Sequence, residues 1–279
     1  LSMLLLIFQF AKLFKAKIIV APISFGPFTY SWQENLAAKV LKDLDLITAR
    51  EEYSYNLMKH HKIKNITLSS DMALLINRPV KKKNRKHKLI LGFTIRGWLN
   101  KNKQDYFENS FAEAIRRFSS VTGAVIQPIV QVDAPMYGED DLSLTRNISK
   151  RLKTNNVETL KIKHSSDIRS VMVTYSSIDL LLGMRMHSNI LAATQGTPFV
   201  GISYEHKTEG IAKQLGMDGY CVKCTDVNEK VLYELLMKAI KNKEALQKRI
   251  INSITKIQNK ERMLWASIIS NYINFTKTT

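Results

Sequence analysis

Along this chain, short apolar runs alternate with stretches whose apolar residues recur every three or four positions. That alternation of strand and helix signals is the pattern of an α/β protein. In the first part, Lys17 to Ile23 and Leu44 to Thr48 read as strands, and Ser31 to Leu41 and Glu52 to His60 as helices. After residue 88 the pattern resumes with strands Leu89 to Ile95, Ala124 to Val132, Val157 to Ile162, Ile178 to Leu182 and Pro198 to Ile202. Helical spacing fills the gaps, notably Asp105 to Val121 and Leu142 to Leu152, and Tyr220 to Val222 adds a short strand signal. Parallel strands joined by helical crossovers are the economical arrangement. From Asn228 to Phe275 the pattern is helical, with a stripe that includes Leu232, Leu236, Ile250 and Ile254.

Between the two halves the pattern breaks. From Met72 to Gln104 there are ten Lys or Arg residues and no Asp or Glu, densest at Lys81 to Lys88. No aromatic residues interleave that densest part as a base-stacking surface would require, so it reads as a solvated linker rather than a nucleic-acid patch. The expected organisation is an N-terminal Rossmann-like domain over residues 1–87, with a basic linker at 78–88, and a C-terminal one over 88–279 that includes the helical tail. The first domain supplies at most three strands, where an open doubly wound sheet usually has five or six, so it reads as incomplete.

Composition narrows the class. With 279 residues and 45% hydrophobic content, the chain can bury a core in each of two domains. Forty-two Lys and Arg against 24 Asp and Glu give a formal charge of +18, which favours anionic partners without choosing among them. Cys221 and Cys224 are too few for a disulfide scaffold; no second Cys or Cys/His pair accompanies them, so they read as structural rather than metal-binding. The apolar opening from Leu1 to Ala11 is too short to span a bilayer and lacks the marks of a secretory signal. A cytoplasmic protein, with peripheral contact at an anionic inner membrane face, is the expectation.

Candidate chemistry collects at strand ends. Gly183-Met184-Arg185-Met186-His187-Ser188 follows a strand and opens a helix, where backbone N–H groups and the helix dipole suit a phosphate or carboxylate. Arg185 offers a planar fork for an oxyanion, and His187 a proton donor near neutral pH. The plain alternative is an Arg185 paired with a local carboxylate and a structural His187. Tyr204 and Lys207 follow the next strand, and Ser24, Gly26 and Pro27 form a tight loop after the first.

Together these residues resemble the polysaccharide pyruvyl transferase family. The resemblance lies in Ser-x-Gly-Pro-Phe at Ser24 to Phe28, and in Arg-Glu-x-x-Ser at Arg50, Glu51 and Ser54. It continues in an Asp at Asp71, in Gly-x-Arg-x-His-Ser-x-Ile-x-Ala-x-x-x-Gly-x-Pro at Gly183 to Pro198, and in Tyr-x-x-Lys at Tyr204 and Lys207. It implies a two-domain fold in a glycosyltransferase-B-like arrangement. The implied reaction moves a pyruvyl group from phosphoenolpyruvate to a sugar, forming a ketal on a surface polysaccharide or its lipid-linked precursor. Arg96, Arg185, Ser188, Tyr204 and Lys207 would then bind the donor, and His187 would act as acid. Asp71 or Glu51 would accept a hydroxyl proton, and the scheme needs no metal or cofactor.

Three other readings stay open at this level. A nucleotide-sugar glycosyltransferase of similar fold would use the same anion-binding helix. A basic binding module would contact anionic partners through Lys81 to Lys88 and the final helix, and a truncated, inactive relative would keep the motifs without the activity. Acceptor contacts are expected on variable loops such as Asp133 to Asp141.

Overall fold

The computed structural model describes residues 2–76, 88–98, 101–134, 136 and 139–273. The charged run at 78–87 and part of the 133–141 loop lie outside the described residues. The chain divides into two compact units, one of Leu1–Leu75 with Lys256–Thr279 and the other of Ile76–Thr255.

Unit 1 contains α1 (Ser2–Leu13), β1 (Ile19–Ile23), α2 (Ser31–Leu41), β2 (Leu46–Ala49), α3 (Glu52–His60) and β3 (Ile66–Leu68), followed by a 3-10 turn at Met72–Leu75. The strands pair in parallel in the order β1-β2-β3, with Ile19 opposite Leu46 and Ile47 opposite Ile66. Helix α2 turns Ala37, Ala38 and Leu41 inward and α3 turns Met58 inward, onto a core that includes Leu44, Ile47 and Ile63. The second strand starts two residues later than its apolar run, because Asp45 is engaged in holding the entry to β1. Its carboxylate accepts the Ile18 N–H at 2.8 Å and Lys17 Nζ at 2.9 Å.

Unit 2 holds β4 (Ile90–Thr94), α4 (Lys101–Thr122), β5 (Val125–Pro128), a two-residue hairpin of β6 (Asp133–Ala134) and β7 (Glu139–Asp140), α5 (Asp141–Thr154) and α6 (Ile168–Ser177). It continues with β8 (Leu180–Gly183), α7 (Met186–Thr194), β9 (Phe199–Ser203), α8 (His206–Gln214), β10 (Cys221–Lys223) and α9 (Glu229–Lys241). Its parallel sheet has the order β10-β9-β8-β4-β5, buried on both faces by the continuous apolar runs at Leu180–Gly183 and Phe199–Ser203.

The expected strand at 157–162 is present only as isolated parallel bridges, Ile126 with Thr159 and Ile129 with Lys163. Pro128 is the reason: it has no N–H to extend the ladder, and the Gln127 side chain reaches the Lys161 carbonyl instead, at 2.8 Å. Counting this stretch as the sheet's edge, the strand order in chain sequence is 3-2-1-4-5-6, the doubly wound order.

The helical tail breaks once, at Asn242, before α10 (Lys243–Ile273). The sequence pattern assigned this whole tail to the second domain. In the structure α10 is shared. Leu246 and Ile250 are buried in unit 2. Further on, Glu261 accepts from Ser69, Gln258 donates to the Leu74 carbonyl at 2.9 Å and Tyr272 donates to the Asp45 carbonyl at 3.2 Å, all within unit 1. Among the described residues no helix is long and apolar enough to cross a membrane.

Candidate active site

In an open parallel sheet the ligand crevice forms beyond the carboxyl ends of the strands, where the order reverses. In unit 2 that point lies between β4 and β8, so Thr94 to Trp98 and Gly183 to Ser188 frame it. The two segments are tied together. Met184 N–H donates to the Thr94 carbonyl at 3.2 Å, and the Thr94 and Ser188 hydroxyls lie 2.8 Å apart. A glycine is required at 183, since a Cβ there would fall 1.9 Å from Asn189 Oδ1. The Asn189 amide in turn donates to the Gly183 carbonyl at 3.2 Å, closing the first turn of α7 onto β8. At the other end of α7, Gly196 takes a φ of +67°, which ends the helix and sends the chain into β9.

Within this frame the expected site residues separate into distinct tasks. Arg185 is buried and forms a bidentate ion pair with Asp141, Nε to Oδ2 at 2.9 Å and Nη2 to Oδ1 at 2.6 Å. Asp141 also accepts the Val132 N–H at 3.1 Å. The pairing weighed as the plain alternative for Arg185 is therefore present, and it holds the N-cap of α7, two residues before His187. Ser188, expected among the donor ligands, is fully buried. Its hydroxyl is shared between Thr94 and the Arg185 carbonyl, and its N–H also closes on that carbonyl at 3.1 Å, so it holds the fold rather than facing a ligand. His187, by contrast, is exposed in the first turn of α7.

Arg96, just past β4, is half-buried and donates to the Tyr204 hydroxyl at 2.8 Å. Its guanidinium carbon lies 4.6 Å from the Tyr204 ring centroid and 5.1 Å from that of Trp98. Such cation–π contacts hold an arginine in place while keeping its charge. Lys207 pairs with Glu205 at 3.2 Å. Trp98 escaped the sequence reading because a single aromatic residue in a loop carries no periodic signal. Asp141 escaped it because nothing local ties it to an arginine 44 positions away. Beside this cluster, at the ends of β9 and β10, Trp98, Tyr204, Glu205, Glu209 and Lys223 line a cavity of about 330 Å³.

The two cysteines are held as thiols. Burial, with the charge of Glu209, pushes Cys221 up to about 12, and burial pushes Cys224 up to about 11. Among the described residues no three His, Cys, Asp or Glu side chains group as a metal site would require.

In unit 1, Ser24, Arg50, Glu51, Ser54 and Asp71 meet at the carboxyl ends of β1, β2 and β3. Arg50 Nε donates to Ser24 Oγ at 2.6 Å and Nη1 to Asp71 Oδ2 at 3.0 Å, while Ser24 donates to Glu51 Oε2 at 3.0 Å. Ser54 donates to the other Glu51 oxygen and accepts the Phe25 N–H at 2.7 Å, which fixes the loop through Gly26 and Pro27. The second Asp71 oxygen accepts the Ala73 N–H at 2.9 Å. Asp71, expected as a proton acceptor, thus has both oxygens engaged in pairing Arg50 and capping the 3-10 turn.

Residues 4–206 match the polysaccharide pyruvyl transferase family. The amylovoran biosynthesis protein AmsJ of Erwinia amylovora is 24% identical over 225 residues, 74% of this chain and 54% of that protein. The chain therefore spans about half the length of this curated relative. Among solved structures, a putative UDP-N-acetylglucosamine 2-epimerase from Listeria monocytogenes superposes with a TM-score of 0.64 at 11% identity, covering 98% of this chain and 72% of that one. A UDP-forming α,α-trehalose-phosphate synthase from Burkholderia xenovorans gives 0.60 at 12% identity, over 97% and 72%. These likenesses show the fold, that of the glycosyltransferase-B class.

Proposed function

The chain belongs to the polysaccharide pyruvyl transferase family, and from that premise we propose that it transfers a pyruvyl group from phosphoenolpyruvate to two hydroxyls of a saccharide acceptor. The observation that supports this most is the placement of Arg96 and His187 at the point where the sheet order of unit 2 reverses. A cation held on aromatic faces and an exposed imidazole at a helix start meet the two needs of the reaction, an anchor for a trianionic donor and an acid.

In the proposed sequence, Arg96 anchors the donor's anionic end, with Lys207 as a second cation. His187 protonates the methylene carbon of the enol, and the first sugar hydroxyl attacks the cationic carbon so formed. Loss of phosphate and attack by the second hydroxyl complete the ketal. One hydroxyl proton replaces the one His187 has given, and the other leaves with inorganic phosphate, so the reaction balances without a redox partner. Arg185 acts in this scheme by fixing the start of α7, and with it His187, through Asp141. A lipid-linked acceptor would work at the inner face of a membrane.

The test is thermal stability of the purified chain titrated with phosphoenolpyruvate beside UDP-glucose. At 100 times the dissociation constant a true ligand adds about 2.7 kcal/mol of stability. Stabilisation by phosphoenolpyruvate, weakened in Arg96→Ala, is the expected result. Stabilisation by UDP-glucose alone would transfer the protein to nucleotide-sugar chemistry.

A further inference from the structure

The cavity beside Arg96 does not suit the donor. It opens at the ends of β9 and β10, and two of the side chains that line it, Glu205 and Glu209, are carboxylates. Lys207 pairs with Glu205 at 3.2 Å and Lys223 stands on the lining beside Glu209, so the walls carry both signs of charge and offer no excess of cations to hold a trianionic donor. Trp98 and Tyr204 add aromatic surface to the same lining. Trp98 is 46% exposed, and its ring meets that of Tyr204 at 42° with centroids 4.7 Å apart, forming a corner.

A neutral ring with hydroxyls on its edge and C–H bonds on its face fits this lining. The polarised C–H face lies on the electron-rich face of an aromatic ring, and carboxylates accept hydroxyl protons in charge-assisted bonds. About 330 Å³ is at the small end of ligand pockets, room for one such ring rather than a nucleotide sugar. We propose that this cavity binds one neutral pyranose residue of the acceptor, with Trp98 as its platform and Glu209 as a hydroxyl partner. Only the word acceptor rests on the pyruvyl-transfer reading; the sugar site stands on the cavity's own chemistry.

Saturation-transfer NMR on the full chain tests this, with methyl β-D-glucopyranoside and methyl β-D-galactopyranoside as probes and UDP as a third arm. Saturation should reach the ring protons of at least one glycoside, and affinity should fall about tenfold in Trp98→Ala and in Glu209→Ala, equal to about 1.4 kcal/mol. Both side chains are exposed, so both variants should keep the wild-type circular dichroism spectrum. Absence of transfer to either glycoside, undiminished transfer in Trp98→Ala, or saturation of UDP in their place would each overturn the proposal. Thermal titration of the same samples with phosphoenolpyruvate separates the two readings. Donor stabilisation without glycoside binding refutes the sugar site alone, and glycoside binding without donor stabilisation refutes pyruvyl transfer alone.

Discussion

Both units place polar motifs at the carboxyl ends of parallel strands, yet they use them differently. In unit 1, Ser24, Arg50, Glu51, Ser54 and Asp71 bond chiefly to one another, with Glu51, Ser54 and Asp71 buried. In unit 2, a buried layer of Thr94, Asp141, Arg185 and Ser188 supports an accessible one of Arg96, Trp98, His187 and Tyr204. A motif residue at a strand end is thus not by itself a reactive one. What separates the two kinds is whether the side chain is buried with its partners or accessible at the strand ends.

The largest expected effect comes from the buried layer. Asp141→Ala removes the carboxylate that pairs the buried Arg185 guanidinium and accepts the Val132 N–H, and should cost about 3 to 5 kcal/mol in urea unfolding. A loss below about 1 kcal/mol would show that the pair is solvated and that Arg185 belongs with the accessible residues. His187→Ala should lower transfer by about 10² to 10⁴, the usual worth of general acid catalysis, while unfolding changes by no more than about 0.5 kcal/mol. Intact activity in that variant would move the acid elsewhere.

Smaller effects sharpen the picture of unit 1. Ser54→Ala leaves the Phe25 N–H and a Glu51 oxygen short of a partner and should cost about 1 to 3 kcal/mol, with phosphoenolpyruvate affinity unchanged. The smallest effect concerns acid stability. Burial raises the Asp45 carboxyl, but the Ile18 N–H and Lys17 outweigh it and hold the group below its ordinary value. A lowered folded value means stability that is present above the unfolded value, about 3.9, and lost as pH falls through the folded one. Between pH 5 and 2.5 the wild type should therefore lose more stability than Asp45→Asn, by about 1 kcal/mol or less. Parallel acid limbs in the two proteins would remove that role.

Local pattern carried much of the fold. Helices Ser31–Leu41 and Glu52–His60 are legible to the residue because their apolar spacing and boundaries are written within a dozen positions. The central strands of unit 2 are legible because strands buried on both faces read as unbroken apolar runs. The brief β3, Ile-Thr-Leu, is too short for any periodicity to register. The division of α10 between the units depends on Ser69 and Leu74 meeting residues nearly two hundred positions later, as at Ser69 and Glu261. The candidate site shows the same boundary. The motif around His187 is local and visible, whereas the partners that decide the tasks of Arg185 and Arg96 come from distant segments.

The most direct test of the contrast between the units is calorimetric titration of phosphoenolpyruvate into Arg96→Ala and Ser24→Ala beside the wild type, with melting temperature recorded for each. The account predicts that Arg96→Ala binds the donor at least about tenfold more weakly, a loss of about 1.4 kcal/mol, at a nearly unchanged melting temperature. It predicts that Ser24→Ala melts lower and binds normally. Normal donor binding in Arg96→Ala together with weakened binding in Ser24→Ala would contradict it.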